Sequence, residues 1–348
     1  GQPDPGTTTN SYWDTNTTGQ ATSAGGIGRS TAEMQQQATF VDWDFTNVWW
    51  IVEDAKYPLL RTGVTPSGSG TEGDPYLVSQ LGHLVWMGEN TAASAGKHYS
   101  LQNGLNASGV ASWYGGAGFL PIGPDDIPFL GYFHGNGHVV TNLTINRPTQ
   151  SYVGLFGRVA AGGVISRVGV QGGTLTGNQC VGGVAGGSGG AVSECFATCA
   201  VSGIDKVGGL VGVNPGAVSN CYARGPVTGG GAGAVGGLVG WNQGAVSNGY
   251  ATGAVTGGSF RGGLVGLNTA SVGLSYWDTQ TSGQASSDGG TGRTTAQMKQ
   301  QATFAGWDFT AVWRITEGSS YPYFVWQAPD PFAGAVDAGG GWKYLGWF

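Results

Sequence analysis

The sequence predicts an all-β protein, a right-handed β-solenoid (β-helix) with short capping helices and a duplicated cap module. Three observations carry this expectation. A glycine-rich phrase recurs at nearly even spacing, as VGLFGRV from Val153, VGGVAGG from Val181, VGGLVGV from Val207, VGGLVGW from Val235 and RGGLVGL from Arg261. Short runs of β-branched, aromatic and small residues fill each interval. A long segment occurs twice, starting at Ser11 and at Ser275.

A period of about 20 to 50 residues means one supersecondary unit stacked on copies of itself. Within Val207 to Ala234 the runs LVGV, AVSNCYA and PVTG are separated by Asn, Pro and Gly, which reads as three short strands and their turns, with no helical period. Such a unit closes one coil, and successive coils lie about 4.8 Å apart. The alternation from Ala217 to Ala223 matches Ala191 to Ala197 and Ala245 to Ala251 position by position. Val192, Val218 and Val246 are therefore expected to stack inward, with Phe196, Tyr222 and Tyr250 on a second register. The Gly-Gly pairs suit tight corners or close backbone approach. Gly makes up 69 of 348 residues, yet the apolar positions keep their phase, which argues against low-complexity disorder.

The Gly209-Leu210-Val211-Gly212 and Gly237-Leu238-Val239-Gly240 cores resemble the GLUG motif. The segments GTEGDPYLVSQLGHLVWMGEN from Gly70 and GYFHGNGHVVTNLTI from Gly131 resemble its usual lead-in, so the likeness extends over roughly residues 66 to 325. It implies a secreted or surface protein of a microbe, of a family often found beside adhesin-like or peptidase regions. It implies an architecture more than a biochemical role, because the repeat is a scaffold unit.

The two copies of the long segment are identical at 32 of 50 aligned positions. Ser30 or Thr294 is set to cap a short helix, with Glu33 or Gln297 three positions on completing a capping box. The copy at 274–325 follows the last coil and is expected to close the C-terminal end of the solenoid, hiding an edge that would otherwise recruit foreign strands. In proteins resembling this family a YWDT segment commonly follows the last repeat. The first copy, in the N-terminal module 1–65, has no coil before it, and GQPDPGTTTN cannot form one. Either the chain is one period of a longer tandem array, or this module docks on another copy. A head-to-tail contact of that kind yields a filament if it does not close. The solenoid proper is assigned to 66–273, with a short helix near Val78 to Asn90 at its start. An aromatic tail at 326–348 follows, in which Trp342, Tyr344, Trp347 and Phe348 lie behind a Gly339-Gly340-Gly341 hinge. That tail reads either as a strand folded back on its own body or as one added to a neighbouring subunit.

Composition narrows the function. Charged residues are 10% of the chain and the net charge is −6, which argues against nucleic acid as a partner. No apolar run approaches the length that a membrane-spanning helix needs. The chain opens at Gly1 without a signal peptide, read as a mature form. An extracellular or cell-surface location is expected. The four cysteines, Cys180, Cys195, Cys199 and Cys221, all fall in the repeats. Cys195 and Cys221 occupy equivalent positions one coil apart and are candidates for a disulfide, as are Cys180 and Cys199; simple packing as buried thiols is the alternative. Asn16, Asn106 and Asn142 sit in N-x-S/T sequons open to glycans.

Catalysis is not expected. The only charged residues between 150 and 272 are Arg158, Arg167, Glu194, Asp205, Lys206, Arg224 and Arg261, and no two acids recur on one ladder. Glycoside hydrolysis needs a spaced carboxylate pair. Asp125 and Asp126 are adjacent in a Pro/Gly loop and point apart. His134 and His138 flank a Gly-Asn-Gly turn rather than a helix face, and the related motif commonly carries Asp at His134. Asp42, Asp44, Asp54, Asp308 and Glu317 match no calcium-loop spacing. No cofactor or metal is expected. The expected function is structural: a subunit of an extracellular filament or surface assembly, partnered with itself head-to-tail through Tyr12, Trp13, Trp43, Phe45, Trp49 and Trp50 and the tail aromatics. A monomeric adhesin or stalk module that binds glycan or a host surface is the alternative.

Overall fold

A computed structural model describes residues 9–46 and 48–327. The chain is all-β, with mostly parallel strands in curled sheets and few helices, an arrangement consistent with a β-helix. Within the repeats, strands hydrogen-bond to their equivalents one repeat away. Ala191–Ser193, Ala217–Ser219 and Ala245–Ser247 pair in series. So do Val211–Asn214, Val239–Asn242 and Val265–Asn268, and on another side Asp205–Gly208, Ala234–Gly236 and Phe260–Gly262. Pairing by repeat rather than by hairpin follows from the sequence: the AVS, VG and YA runs are too short to pair within one coil, but every copy has a matching neighbour in the next coil.

Glycines fall at two different kinds of position. Gly172-Gly173 and Gly257-Gly258 are left-handed corners, with φ between 63° and 77°, whereas the pairs that precede the motif's leucine are close-approach points: a Cβ on Gly209 would lie 2.3 Å from the Gly237 carbonyl oxygen and 2.7 Å from the Ala223 methyl. Left-handed corners in this column are instead made by Arg167, Glu194, Asn220, Asn248 and Leu274, with φ between 44° and 54°. Asn accepts this conformation readily because its short amide bonds locally.

The motif's leucine is the interior residue: Leu210, Leu238 and Leu264 are fully buried, among Val192, Val218 and Val246 and the valines of the other faces. Buried Asn214 and Asn242 and half-buried Asn268 form a ladder in which each Nδ2 donates to the next Oδ1 at 2.8 Å, leaving the middle amide paired on both sides. At the start of the stack the helix Leu81–Glu89 packs Leu84, Val85 and Met87 onto the first coils.

Of the two cysteine alternatives, the structure has the thiols. All four are free, buried thiols. Cys195 and Cys221 share a column: their Sγ atoms donate to the carbonyls of Ser193 at 3.1 Å and Ser219 at 3.2 Å, and Cys221 Sγ also accepts from the Cys195 amide at 3.4 Å. Cys199 points into the interior, beside Gly183. Cys180 lies in the neighbourhood of Tyr152 and Lys206 instead. Burial raises the Cys180 thiol to about 11 and the Cys199 thiol to about 12, and pushes Cys221 well up, which leaves them protonated and inert at neutral pH.

Candidate assembly surface

The duplicated segment folds the same way twice. In the C-terminal copy the Asp278 carboxylate accepts from the Gln280 and Thr281 amides and from the Tyr321 hydroxyl at 2.7 Å. In the N-terminal copy Asp14 accepts from the Asn16 and Thr17 amides and from the Tyr57 hydroxyl at 2.6 Å. Burial would raise Asp14, but these bonds outweigh it and hold the carboxyl down at about 2. Trp277 Nε1 donates to the Gln284 carbonyl and Trp13 Nε1 to that of Gln20. Trp307 Nε1 reaches back to Leu274 and Trp43 Nε1 to Asn10. The capping box closes around Thr294 and Gln297 on the helix Thr295–Met298. Ser30 and Glu33 make the same reciprocal bonds, although the turn that follows, Glu33–Gln35, is a 3₁₀ helix.

What differs is what the two copies touch. Tyr276–Asp278 continues the coil stack, pairing with Tyr250–Ala251. Trp277 sits under the last coil, where Gly263 has no side chain to obstruct it. The loop that follows satisfies the open edge: Ser287 Oγ accepts from the Leu264 and Val265 amides, Asp288 from the Asn268 amide, and Gln284 Nε2 donates to the Val255 carbonyl. The chain then runs back along the flank. There Phe196, Tyr222 and Tyr250 stack with centroids 5.0 Å apart and planes within 11°, and Met298, Phe304, Trp307, Trp313, Tyr321 and Phe324 cover them. Trp313 lies against Tyr222 and Tyr250, and Trp326 stacks on Phe196 at 5.8 Å. Stacked rings alone would present an apolar stripe to water; the segment buries it.

The N-terminal copy carries the same aromatics, with no ladder against them among the described residues. Trp313 is fully buried and Trp307 7% exposed, whereas Trp49 and Trp43 are only half-buried, stacked on each other at 4.2 Å. Tyr57 is 39% exposed against 6% for Tyr321. Leu59 and Leu60 are exposed where Tyr323 and Phe324 are buried. Tyr12, Trp13 and Phe45 are half-buried. Trp50 behaves differently from the other predicted interface residues: it is buried on the downstream side, in the core with Val52, Val64, Val78 and Leu84, and its Nε1 donates to Glu89, which also pairs with Arg61 at 2.8 Å. The equivalents of Trp50 and Val52 in the second copy are Arg314 and Thr316. The first copy thus carries an extra apolar face toward the coils that follow it, a signal present in the sequence as the Trp50/Arg314 difference. Trp342, Tyr344, Trp347 and Phe348 lie outside the described residues.

The other candidate residues fall into local roles. Asn16, Asn106 and Asn142 are exposed, and Asn142 Nδ2 donates to Asn106 Oδ1. Asp125 pairs with Arg158 at 2.8 Å. His134 contacts Ser166 and stacks on His98, and burial, then His98, lowers its pKa. Asp44 and Asp308 accept from backbone amides of their own turns, and Glu317 from that of Gln301. Asp42 and Asp54 accept from the side-chain amides of Asn10 and Gln36. Among the described residues no group of three or more His, Cys, Asp or Glu could hold a metal ion, and no helix is long and apolar enough to cross a membrane. One surface groove, of about 470 Å³, lies between Ile204, Asp205, Lys206, Trp241, Phe260 and Leu267. Lys206 is bonded to Asp205 at 2.8 Å, which raises its pKa, and lies 5.6 Å from the Trp241 ring.

The GLUG motif matches residues 231–256. With the repeats that flank it, this makes the chain a GLUG-repeat protein. Halomucin of Haloquadratum walsbyi is 40% identical over 141 residues, 40% of this chain and 2% of that protein. A "Putative Gly-rich membrane protein" of Evansella cellulosilytica is 31% identical over 119 residues, 33% of this chain and 13% of that one. The chain therefore aligns with a small part of each relative. The crystal structure of a "putative immunoglobulin A1 protease" from Bacteroides ovatus superposes with a TM-score of 0.52 at 18% identity, covering 76% of this chain and 96% of that one. That likeness is one of fold.

Proposed function

We propose that the protein is an extracellular, non-enzymatic structural element: a right-handed coil stack, capped at its C-terminal end by the second copy of the duplicated segment and joined head-to-tail to further coil stacks through the first, as part of a filament or surface layer. The observation that carries this reading is the aromatic face of the N-terminal segment, which stands open although its twin is buried against a ladder. The Halomucin and Gly-rich membrane protein alignments support a surface location. The test is sedimentation of material released from the cell surface by mild extraction. Intact protein is expected in long polymers, and protein lacking residues 9–61 in short particles; equal sedimentation of the two would overturn the proposal.

A second reading, a surface module that binds glycan, is favoured by the groove at Ile204, Lys206, Trp241 and Phe260, where Ile204 and Phe260 are more than half exposed. Exposed aromatic and aliphatic groups beside an ion pair suit a sugar face with hydroxyls at its rim. Glycan retention that survives loss of residues 9–61 and is lost in Phe260→Ser would select it.

A further inference from the structure

The proposal above leaves open what occupies the open face, and the inference here rests on that reading. We propose that residues 11–60 are a receiving seat for the coil stack of a further unit joined in line ahead of Ser11, its last coil lying over Trp13 and its flank presenting a Phe/Tyr ladder to Trp43, Trp49 and Tyr57.

Two features of the second copy point to that occupant. Its seat is built by the chain immediately before it: Tyr276 pairs with Tyr250, one coil earlier, and becomes the next rung of the same ladder. The entry of the first copy is the same. Ile27 N–H donates to the Ser11 carbonyl at 2.8 Å, as Thr291 does to Ser275 at 2.9 Å, and Tyr12–Asp14 pairs in parallel with Ile27–Arg29 as Tyr276–Asp278 pairs with Thr291–Arg293. A rung one coil before Tyr12 would therefore meet it as Tyr250 meets Tyr276. Six of the residues packed on the ladder in the second copy recur unchanged in the first: Tyr12, Met34, Phe40, Trp43, Trp49 and Tyr57 stand for Tyr276, Met298, Phe304, Trp307, Trp313 and Tyr321.

A separate copy of this chain is a poorer occupant. Its ladder is already covered by its own C-terminal segment, which adds Phe324, Trp326 and the Gln327–Tyr222 hydrogen bonds; the first copy has Leu60, Thr62 and Gly63 at those places. The downstream side of the first copy is not available either, because Trp50, Val52 and Val64 are committed to its own coils. The segment is thus a junction with one side filled and the other shaped for a ladder.

The test is a tandem chain in which residues 9–274 are placed directly before Ser11 of the full protein, compared with the single chain by hydroxyl-radical footprinting. Oxidation of Tyr57 in the junction is expected to fall about sixfold, the ratio of its 39% exposure to the 6% of Tyr321, with Trp43 and Trp49 protected alongside it. Tyr222→Ala with Tyr250→Ala in the upstream stack should abolish that protection while the downstream coils keep theirs. Unchanged oxidation in the tandem chain would overturn the inference. So would an upstream stack left unfolded, since the first copy would then not do what its twin does. Equal protection in single chains mixed at the same concentration would make a second copy the occupant, overturning the in-line seat while leaving the filament proposal standing. Polymers absent from native material would sink the filament proposal without touching the tandem result.

Discussion

Replacing Trp313 and Trp49 by alanine separates the ladder's contribution from that of the local fold. The two residues are equivalent in sequence and in local structure. Trp313 has no exposure, lies 4.6 Å from Trp307 and 4.5 Å from Phe324, faces Tyr222 and Tyr250 at 6.2 and 6.1 Å, and donates to Asn220 Oδ1 at 3.4 Å. Trp49 is half-buried and stacks on Trp43. Emptying a fully buried Trp site costs about 3–5 kcal/mol, whereas removing a half-exposed ring against one neighbour costs about 1 kcal/mol. Global unfolding of a repeat array is not a single transition, so the assay is native-state hydrogen exchange of the amides within each segment. Local opening of the C-terminal segment should become roughly a hundred- to several thousand-fold more frequent in Trp313→Ala. Opening of the N-terminal segment should change by about tenfold or less in Trp49→Ala. Equal effects would refute the argument, because they would mean that the segment's own packing, not the ladder, holds Trp313.

Four further outcomes follow from the same structure. Gly209→Ala should disrupt the stack, since its Cβ would meet the Gly237 carbonyl at 2.3 Å, while Gly73→Ala, with nothing within 4 Å, should leave thermal unfolding unchanged. Asn242→Leu takes a partner from the Asn214 and Asn268 amides along the ladder and should cost about 1–3 kcal/mol, read as a lowered urea midpoint. The four thiols should resist alkylation at neutral pH until the protein is denatured, then all react; rapid native labelling would contradict their burial. Asp14 is held below its unfolded value near 3.8, so its contribution is complete above that pH and is lost as pH falls toward about 2. Exchange of the N-terminal segment should therefore accelerate across that window, and Asp14→Asn should remove the acid dependence.

Much of the fold is legible in the chain because a repeat states its own register. The match of Ala217–Ala223 to Ala245–Ala251 already sets Val218 on Val246 and Tyr222 on Tyr250, and the pairing follows it. The role of the glycines is less legible: Gly-Gly looks like a corner in sequence, yet only the stacked neighbour reveals that Gly209 faces a carbonyl while Asn220 and Asn248 make the left-handed bend. The cysteine column is visible, but the direction of each Sγ depends on a rotamer that the spacing does not encode. The duplicated segment announces itself by identity, and Trp277 of its second copy lies against Gly263 of the preceding repeat. That it also returns along the flank to cover Tyr222 and Phe196 depends on contacts between positions far apart in the chain, such as Tyr222 with Gln327 and Trp313 with Asn220, which no local pattern reports.

Negative-stain electron microscopy of native surface material, from cells carrying the intact chain and from cells carrying it without residues 9–61, tests the central claim most directly. Uniform filaments that shorten to single rods on deletion are the predicted result. Identical rods, or identical filaments, in both samples would show that the open aromatic face of residues 11–60 is not a joint.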